Sequence, residues 1–511
     1  MSSRSLSIKT LFVILLFSGL LSCTVATEEN LRANPGNVIE GFDGNYTTDG
    51  IDGGTISGGG QVSFPNLVTM DFGVVGGGRG NIAGNYSTVG GGDSNIAEGI
   101  RATIGGGAKN VASKNNAVIA GGYSNMASQS FATIGGGNVN TADASYATIS
   151  GGAGNLATGR ISTIGGGTRN QTKSAYTTVG GGSFNLAIGG TSTIAGGTRN
   201  QALGIGSSIG GGAGNQAVGL QSTIAGGLSN RITDNYSVVT GGRQNVAGNE
   251  NDDGEDTPYA SVGGGYENQA GGAYSVVPGG YGNQALGNYS FAAGNLAQID
   301  SEHPGVFLFA DSNDFVFEST SPNEFAARAT GGVRFVTALD ANGEPLVGVR
   351  LPSGSGSWET LSDRSAKTAV QLVDGHQVLD ALMGVPISTW RYQGQPESVR
   401  HIGPMAQDFY AAFGMGEDAH YIGTVDADGI ALAAIQGLYQ LVQEKDSQII
   451  ALQSENVTQE KRLSELETRL ASLEMHRKQP AQQPYGFWSG MVFLVTGLVV
   501  GRYLLTPRSI A

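Results

Sequence analysis

A serine and a lysine stand five residues apart in "LSDRSAK", as Ser362 and Lys367. A serine hydroxyl is a poor nucleophile until an adjacent base takes its proton. Lysine can be that base when its pKa falls, which burial in an apolar site achieves. In a straight strand the two residues would be ~17 Å apart. On a regular helix they would point about 140° apart. Neither form lets them touch, so a dyad needs a turn after Ser362 or a lysine from a neighbouring chain. The alternative is a helix start, with Ser362 as the N-cap, Asp363 favouring the dipole and Lys367 solvated. From this stretch alone the cap is the simpler reading, and only its surroundings reverse it.

Those surroundings are "VPISTWRYQ", "RHIGPMAQDFYAAFG" and "TVDADGIALAAIQGLYQLVQEK", in that order after Lys367. From about Trp358 to Leu452 the series resembles the C-terminal intramolecular chaperone of phage endosialidases and other tail-fibre proteins, a self-cleaving peptidase family. The resemblance implies Ser362 as nucleophile and Lys367 as base. Asp363, Gly403 and Gln407 match the motif as supporting residues. It also implies a domain that trimerises, guides an extended β-structure into register and then cuts itself off once. Which bond beside Ser362 breaks is left open, as is whether Lys367 acts in its own chain or across a trimer.

Upstream, the chain repeats. Asparagine recurs every 15 residues from Asn95 to Asn245, with Asn81 one residue out of step. A β-branched residue keeps the same period from Val89 through Ile104 and Ile164 to Val239. A fixed period with a short β-branched strand means a solenoid. Fifteen residues make about 50 Å of extended chain, which suits a narrow roll of two short strands per coil. Isoleucine and valine would stack inside, and glycines would take positive φ at the corners. Asparagine tolerates the left-handed region, so its column reads as structural. A phosphate-cradling loop would need a following helix and a lysine, and neither recurs. The unit "STIGGG", followed by spaced Asn, Ala and Gly, looks like the head repeats of trimeric autotransporter adhesins and haemagglutinin-like proteins. That likeness implies left-handed β-rolls packed three abreast; the family's barrel anchor has no counterpart here.

One coil carries eight extra residues, in "NENDDGEDTP". This acidic loop, 250–257, lacks EF-hand spacing and reads as a solvated bulge, with calcium binding left open. Glycan cleavage by the roll would need two placed carboxylates. Between residues 74 and 249 there are only Asp93, Glu98, Asp143 and Asp234 against ten Lys or Arg, so the roll reads as non-catalytic. Residues 298–357 alternate apolar and polar positions and read as a neck of short antiparallel strands.

After the chaperone, a heptad pattern places Ile435, Val442, Ile449, Asn456, Leu463 and Leu470 at a. Leu438, Lys445, Leu452, Gln459, Leu466 and Leu473 fall at d. Nine of these twelve are apolar, as a coiled coil requires. Phe487–Leu505 is a 19-residue apolar run with interfacial aromatics at its ends, which predicts a transmembrane helix. At the other end, Arg4 and Lys9 precede an apolar run from Leu11 to Leu21, which reads as an export signal. "LLSC" resembles a lipobox, with Cys23 as the candidate lipidation site. Cys23 is the single cysteine, so no intrachain disulfide contributes. The net charge of −14 argues against nucleic acid as a partner.

The expected fold class is therefore mainly β: a trimeric 15-residue-repeat β-roll, an α+β chaperone, a coiled coil and one transmembrane helix. The expected domains are a signal peptide at 1–23, a lead-in at 24–73 and repeats at 74–297. A neck at 298–357, the chaperone at 358–434, the coiled coil at 435–476 and the membrane helix at 487–505 follow. The expected function is a homotrimeric, exported surface fibre, adhesin-like, that cleaves itself at Ser362. Its partners would be copies of itself, a membrane, and a host glycan or matrix ligand; no cofactor or metal is expected. A non-cleaving structural fibre, or a carrier of a glycan-binding or glycan-cleaving head, is the alternative.

Overall fold

The computed structural model describes residues 36–249, 251 and 256–477. Cys23, the export signal and the apolar run 487–505 lie outside the described residues. Among the described residues, no helix is long and apolar enough to cross a membrane. The chain forms two compact units, one of residues 36–333 with 351–357, the other of 334–350 with 358–477.

The first unit is a parallel β-solenoid of about 19 turns. Each coil contributes two strands of two residues, as in Thr103–Ile104 and Val111–Ala112. Both pair in parallel with the next coil, Ile104 with Ile119 and Ala112 with Ala127. The strands are short because only one residue of each points inward. Ile104, Ile119, Ile134, Ile149 and Ile164 form one fully buried column. Ala97, Ala112, Ala127, Ala142 and Ala157 form the facing column, also fully buried. A large residue opposite a small one fills a space too narrow for two large ones.

The asparagines form a third buried column. Asn170 is typical: its Nδ2 donates to the carbonyls of Gly166 and Gly182 at 2.8 and 2.9 Å, and its Oδ1 accepts from Asn185 N at 3.0 Å. Each side chain thus satisfies carbonyls of its own coil and the next, plus an amide above. The column begins earlier than the regular spacing suggests, at Asn45 and Asn66, because Asn66 N donates to Asn45 Oδ1 and Asn81 N to Asn66 Oδ1. The roll therefore takes in much of the expected lead-in.

The left-handed backbone falls elsewhere than expected. The residue before the asparagine takes it, as in Lys109 at φ +57°, and so does an outer corner held by Phe131 and Tyr146 at φ +62° and +64°. Bulky residues there are normally strained. The strain is offset because Tyr146 N bonds Ser130 O and its ring stacks on Phe131 at 4.7 Å. Tyr236, Tyr259, Tyr274 and Tyr289 continue such stacking at 5.0–5.2 Å. The glycine corner is as expected: at Gly167, φ is +86° and an added Cβ would meet Gly182 O at 2.0 Å.

The eight-residue insertion loops out without shifting register, since Asn268 N still donates to Asn245 Oδ1. Past residue 298 the expected antiparallel neck is instead more solenoid. Phe291, Phe307 and Phe325 pair in parallel and stack, so the roll runs to Arg328. Arg328 then closes the end, donating to Asp311 Oδ1 at 2.9 Å and Asn313 O at 2.8 Å. Asp311 also accepts from the hydroxyl and amide of Thr330. These Thr330 bonds above all, then Asn313 and Arg328, hold the Asp311 carboxyl well below its ordinary range. The stabilisation it provides is complete above the unfolded value of about 4 and is lost as pH falls through the lower folded value. Hydrogen exchange across 307–328 should accelerate in acid more than exchange in the mid-roll. Asp311→Asn should make this end exchange faster already at pH 7 and remove the extra acid response.

The second unit begins with a hairpin. The strands β1 (Gly332–Leu339), β2 (Pro345–Pro352) and β3 (Glu359–Thr360) form one sheet. Antiparallel pairing, expected for the whole neck, is found here, with Val349 opposite Thr360 and Arg350 opposite Glu359. Helix α1 (Gly375–Met383), the ribbon β4 (Ser388–Trp390) and β5 (His401–Gly403), and helix α2 (Ala406–Phe413) follow. Helix α3 runs unbroken from Thr424 to Arg477. Val378, Phe409, Ile430 and Ala434 bury a small core between the three helices. Gly437 lets α3 meet α1 backbone to backbone, because an added Cβ would lie 2.1 Å from Gly375 O.

Candidate active site

Ser362 and Lys367 touch. Lys367 Nζ donates to Ser362 Oγ at 2.6 Å, within a single chain. The turn that this contact requires is one turn of 3₁₀ helix, Arg364–Ala366. Its N-cap is Asp363, not Ser362 as the simple capping alternative would have it. Asp363 Oδ1 accepts from Ser365 N at 2.7 Å and from the Ser365 hydroxyl. A carboxylate one residue on reaches the second amide of the tight turn, which leaves the Ser362 hydroxyl free for the lysine. The Ser365 hydroxyl, and after it the Ser365 amide, lower the Asp363 carboxyl below its ordinary range.

Strand β3 delivers Ser362 from the other side. Leu361 N donates to Gly348 O at 3.0 Å, so the residue before the serine is held extended against β2. Arg350 and Glu359 pair across the same strands at 2.8 Å. A cleft of about 400 Å³ opens here, with Phe335, Val336, Val349, Leu361, Ser362 and Asp363 among its walls. The hairpin that walls it, 334–350, was read from the sequence as neck. Its signal was present in the alternation of "VRFVTAL" and "PLVGVR" about the turn "DANGE", but which strand would face Ser362 was not.

Gly403 closes β5, opposite Ser388. Gln407 lies exposed on the first turn of α2. Neither joins the Ser362–Lys367 hydrogen bond. Both Ser362 and Lys367 are exposed in the single chain. Among the described residues, no cluster of acidic, histidine or cysteine side chains of metal-binding size occurs.

Residues 362–415 match the family model for the chaperone of endosialidase. The match begins at the serine itself and bears out the endosialidase-type chaperone expected in the C-terminal part. Comparison with curated proteins gives no match. A β-solenoid body joined to a chaperone-of-endosialidase segment is consistent with a phage tail-fibre-like protein.

The cap is open to direct test. Asp363→Ala should release the turn, separate the Ser362–Lys367 pair and slow any reaction it performs by roughly tenfold, about 1.4 kcal/mol in barrier. Asp363→Asn, also a good cap, should restore most of the rate. Equal losses in both variants, measured as fragment appearance over time, would mean that the carboxylate acts otherwise than as a cap.

Proposed function

We propose that this chain is a self-assembling fibre whose chaperone segment brings three copies into register and then cuts each chain once beside Ser362. The observation that carries this reading is the 2.6 Å Lys367–Ser362 hydrogen bond at the first residue of the chaperone match. In the proposed step the unprotonated Lys367 amine takes the Ser362 proton. The Oγ then attacks the carbonyl carbon of an adjacent peptide bond, forming an ester as the amide nitrogen leaves with a proton. Water hydrolyses the ester and restores the hydroxyl. Because the substrate is the chain itself, positioning supplies most of the acceleration.

The amine must be unprotonated, and in the single chain it is open to water. Assembly would supply the burial, so cutting would follow association. Helix α3 supports association: Ile435, Leu438, Val442, Ile449, Leu452, Leu463, Leu466, Leu470 and Leu473 are all at least 47% exposed along one heptad seam. A bare seam of this length is what a coiled coil covers. Once cut, the body can no longer unfold by the route along which it folded, which makes its stability kinetic. Export, membrane attachment through 487–505 and lipidation at Cys23 complete the reading as a surface fibre, and an adhesive role would follow from display of the roll.

The experiment is a pair of variants in α3, Leu463→Glu with Leu466→Glu. The wild type should sediment as a trimer, and the double variant as a monomer that stays uncut. A double variant that remains monomeric yet cuts at the wild-type rate would separate cleavage from assembly and defeat the proposal.

A further inference from the structure

At one corner of the roll the residues one coil apart are Gly154, Arg169, Phe184, Arg199 and Gly214. All five take the left-handed backbone, at φ between +53° and +66°. The last four donate their amides to the coil before: Arg169 to Ala153 O, Phe184 to Thr168 O, Arg199 to Ser183 O and Gly214 to Thr198 O, each at 2.9 Å. Their spacing is therefore that of the coils, about 4.8 Å per step. The two guanidiniums close on the Phe184 ring from either side, at 5.4 and 5.6 Å from its centroid. Cation–π attraction to the ring holds each of them in place. Two like charges are thus fixed two coil steps apart, about 10 Å. The glycines at 154 and 214 leave both ends of this short row bare.

Arg169, Phe184 and Arg199 are all exposed. Between Asp143 and Asp234 the chain carries Arg160, Arg169, Lys173, Arg199 and Arg231, and no acidic residue. Salt at 0.1 M screens exposed charges beyond about 10 Å, so the net −14 of the whole chain does not cancel a local cationic surface. Beside the arginines runs a second row, Thr168, Ser183 and Thr198, joined coil to coil by parallel bridges. Its members reach the surface and add hydroxyls between the charges. A row of short side chains offers an extended peptide no walls for its own side chains. Nucleic acid fits no better, because a duplex carries one charge per about 1.7 Å, far denser than two cations set two coils apart. What suits the surface is a regular polymer whose charges recur at the two-coil spacing, with hydroxyls between them. An extended disaccharide is about as long as two coil steps. A guanidinium fork grips a carboxylate or a sulfate through two parallel hydrogen bonds. The ring fixes both forks beforehand, so little side-chain freedom is lost on binding.

We propose that Arg169, Phe184 and Arg199 bind a linear acidic polysaccharide with one carboxylate or sulfate per disaccharide, its chain lying along the stack of coils. The arginines take two successive charges, and Thr168, Ser183 and Thr198 meet the sugar hydroxyls between them. This names a partner class for the adhesive role proposed above and rests on that reading of the roll. It does not depend on cleavage at Ser362.

Purified full-length protein should bind immobilised hyaluronan, which has one carboxylate per disaccharide, or keratan sulfate, which has one sulfate. The two polymers separate the anion types. Binding should saturate and exceed that to neutral dextran and to duplex DNA. Arg169→Ala and Arg199→Ala should each weaken it by about tenfold. Phe184→Ala keeps both charges but frees them, and should weaken it by about fivefold. The decisive variant is Arg199→Gly with Gly214→Arg, which keeps the net charge and moves the second cation one coil further along. Gly214 accepts the side chain, since it shares the φ of its arginine neighbours and an added Cβ meets Ser229 Oγ at an ordinary 3.4 Å. This variant should lose about as much affinity as Arg199→Ala. Undiminished binding in it would reduce the site to bulk charge and overturn the proposal. So would duplex DNA bound as tightly as the polysaccharides, or the absence of saturable binding to both of them. Because the protein is tested in solution, a failure of the surface-display reading would leave these results standing.

Discussion

Ser362→Ala should leave a single uncut band where the wild type is expected to give two fragments, the smaller of about 150 residues. The size of this effect follows from the chemistry. The variant keeps the fold, since Ser362 is exposed and caps nothing, but it lacks the oxygen to which Lys367 Nζ donates. Lys367→Arg is the more searching change. Arginine keeps the charge and length yet remains protonated in proteins, so it cannot serve as base. Loss of a positioned general base costs typically 10²–10⁴-fold, so Lys367→Arg should slow fragment release by at least about 100-fold. Both variants should still sediment as the wild-type oligomer. Cutting at an unchanged rate in Lys367→Arg would assign the base elsewhere; cutting in Ser362→Ala would remove the serine from the chemistry altogether.

Asn170→Ala is expected to be the most damaging single change in the roll. It orphans the carbonyl of Gly166 and the amide of Asn185 and takes one of two donors from Gly182 O, which keeps Thr168 N at 2.9 Å. Each unsatisfied group costs ~1–3 kcal/mol, so the two orphaned groups together should cost about 2–6 kcal/mol. Ile164→Ala removes apolar contact and should cost about 2–5 kcal/mol. In a solenoid each coil contacts only its neighbours, so both losses should stay local. Hydrogen exchange should rise across 155–200 and remain unchanged near Asn81 or Asn268. Unaltered exchange in 155–200 would show that the asparagine column contributes nothing to holding the coils together. Asn170→Asp should be no better than alanine, because its oxygens would face the two carbonyls that now accept hydrogen bonds.

These variants sit at the two ends of what local pattern reveals. The roll was legible because the same solution recurs every 15 residues, so Ile104, Ile119 and Ile134 report one another's positions. Asn45 and Asn66 escaped notice because their steps are 21 and 15 residues, outside the regular run, although their side chains join the same column. Beyond the glycine corners, the left-handed backbone at residues such as Lys109 and Tyr146 was not foreseen. A preference for that conformation is weak, and stacking of Tyr146 on Phe131 outweighs it. Beyond residue 298 a change of composition was read as a change of fold, while the phenylalanine stack carried the parallel pairing on to Arg328.

The Ser362–Lys367 pair divides in the same way. The choice of Ser362 and Lys367 came from the resemblance to the chaperone family, and the need for a turn between them came from their spacing, because neither a straight strand nor a regular helix brings residues five apart together. That Asp363 makes the turn and that β2 holds Leu361 were decided only by the tertiary structure. Periodicity and spacing describe a residue's near neighbours along the chain. The wall beside Ser362 is set by a segment 13 residues away, where Leu361 meets Gly348, and its approach is fixed by backbone hydrogen bonds and packing rather than by residue type.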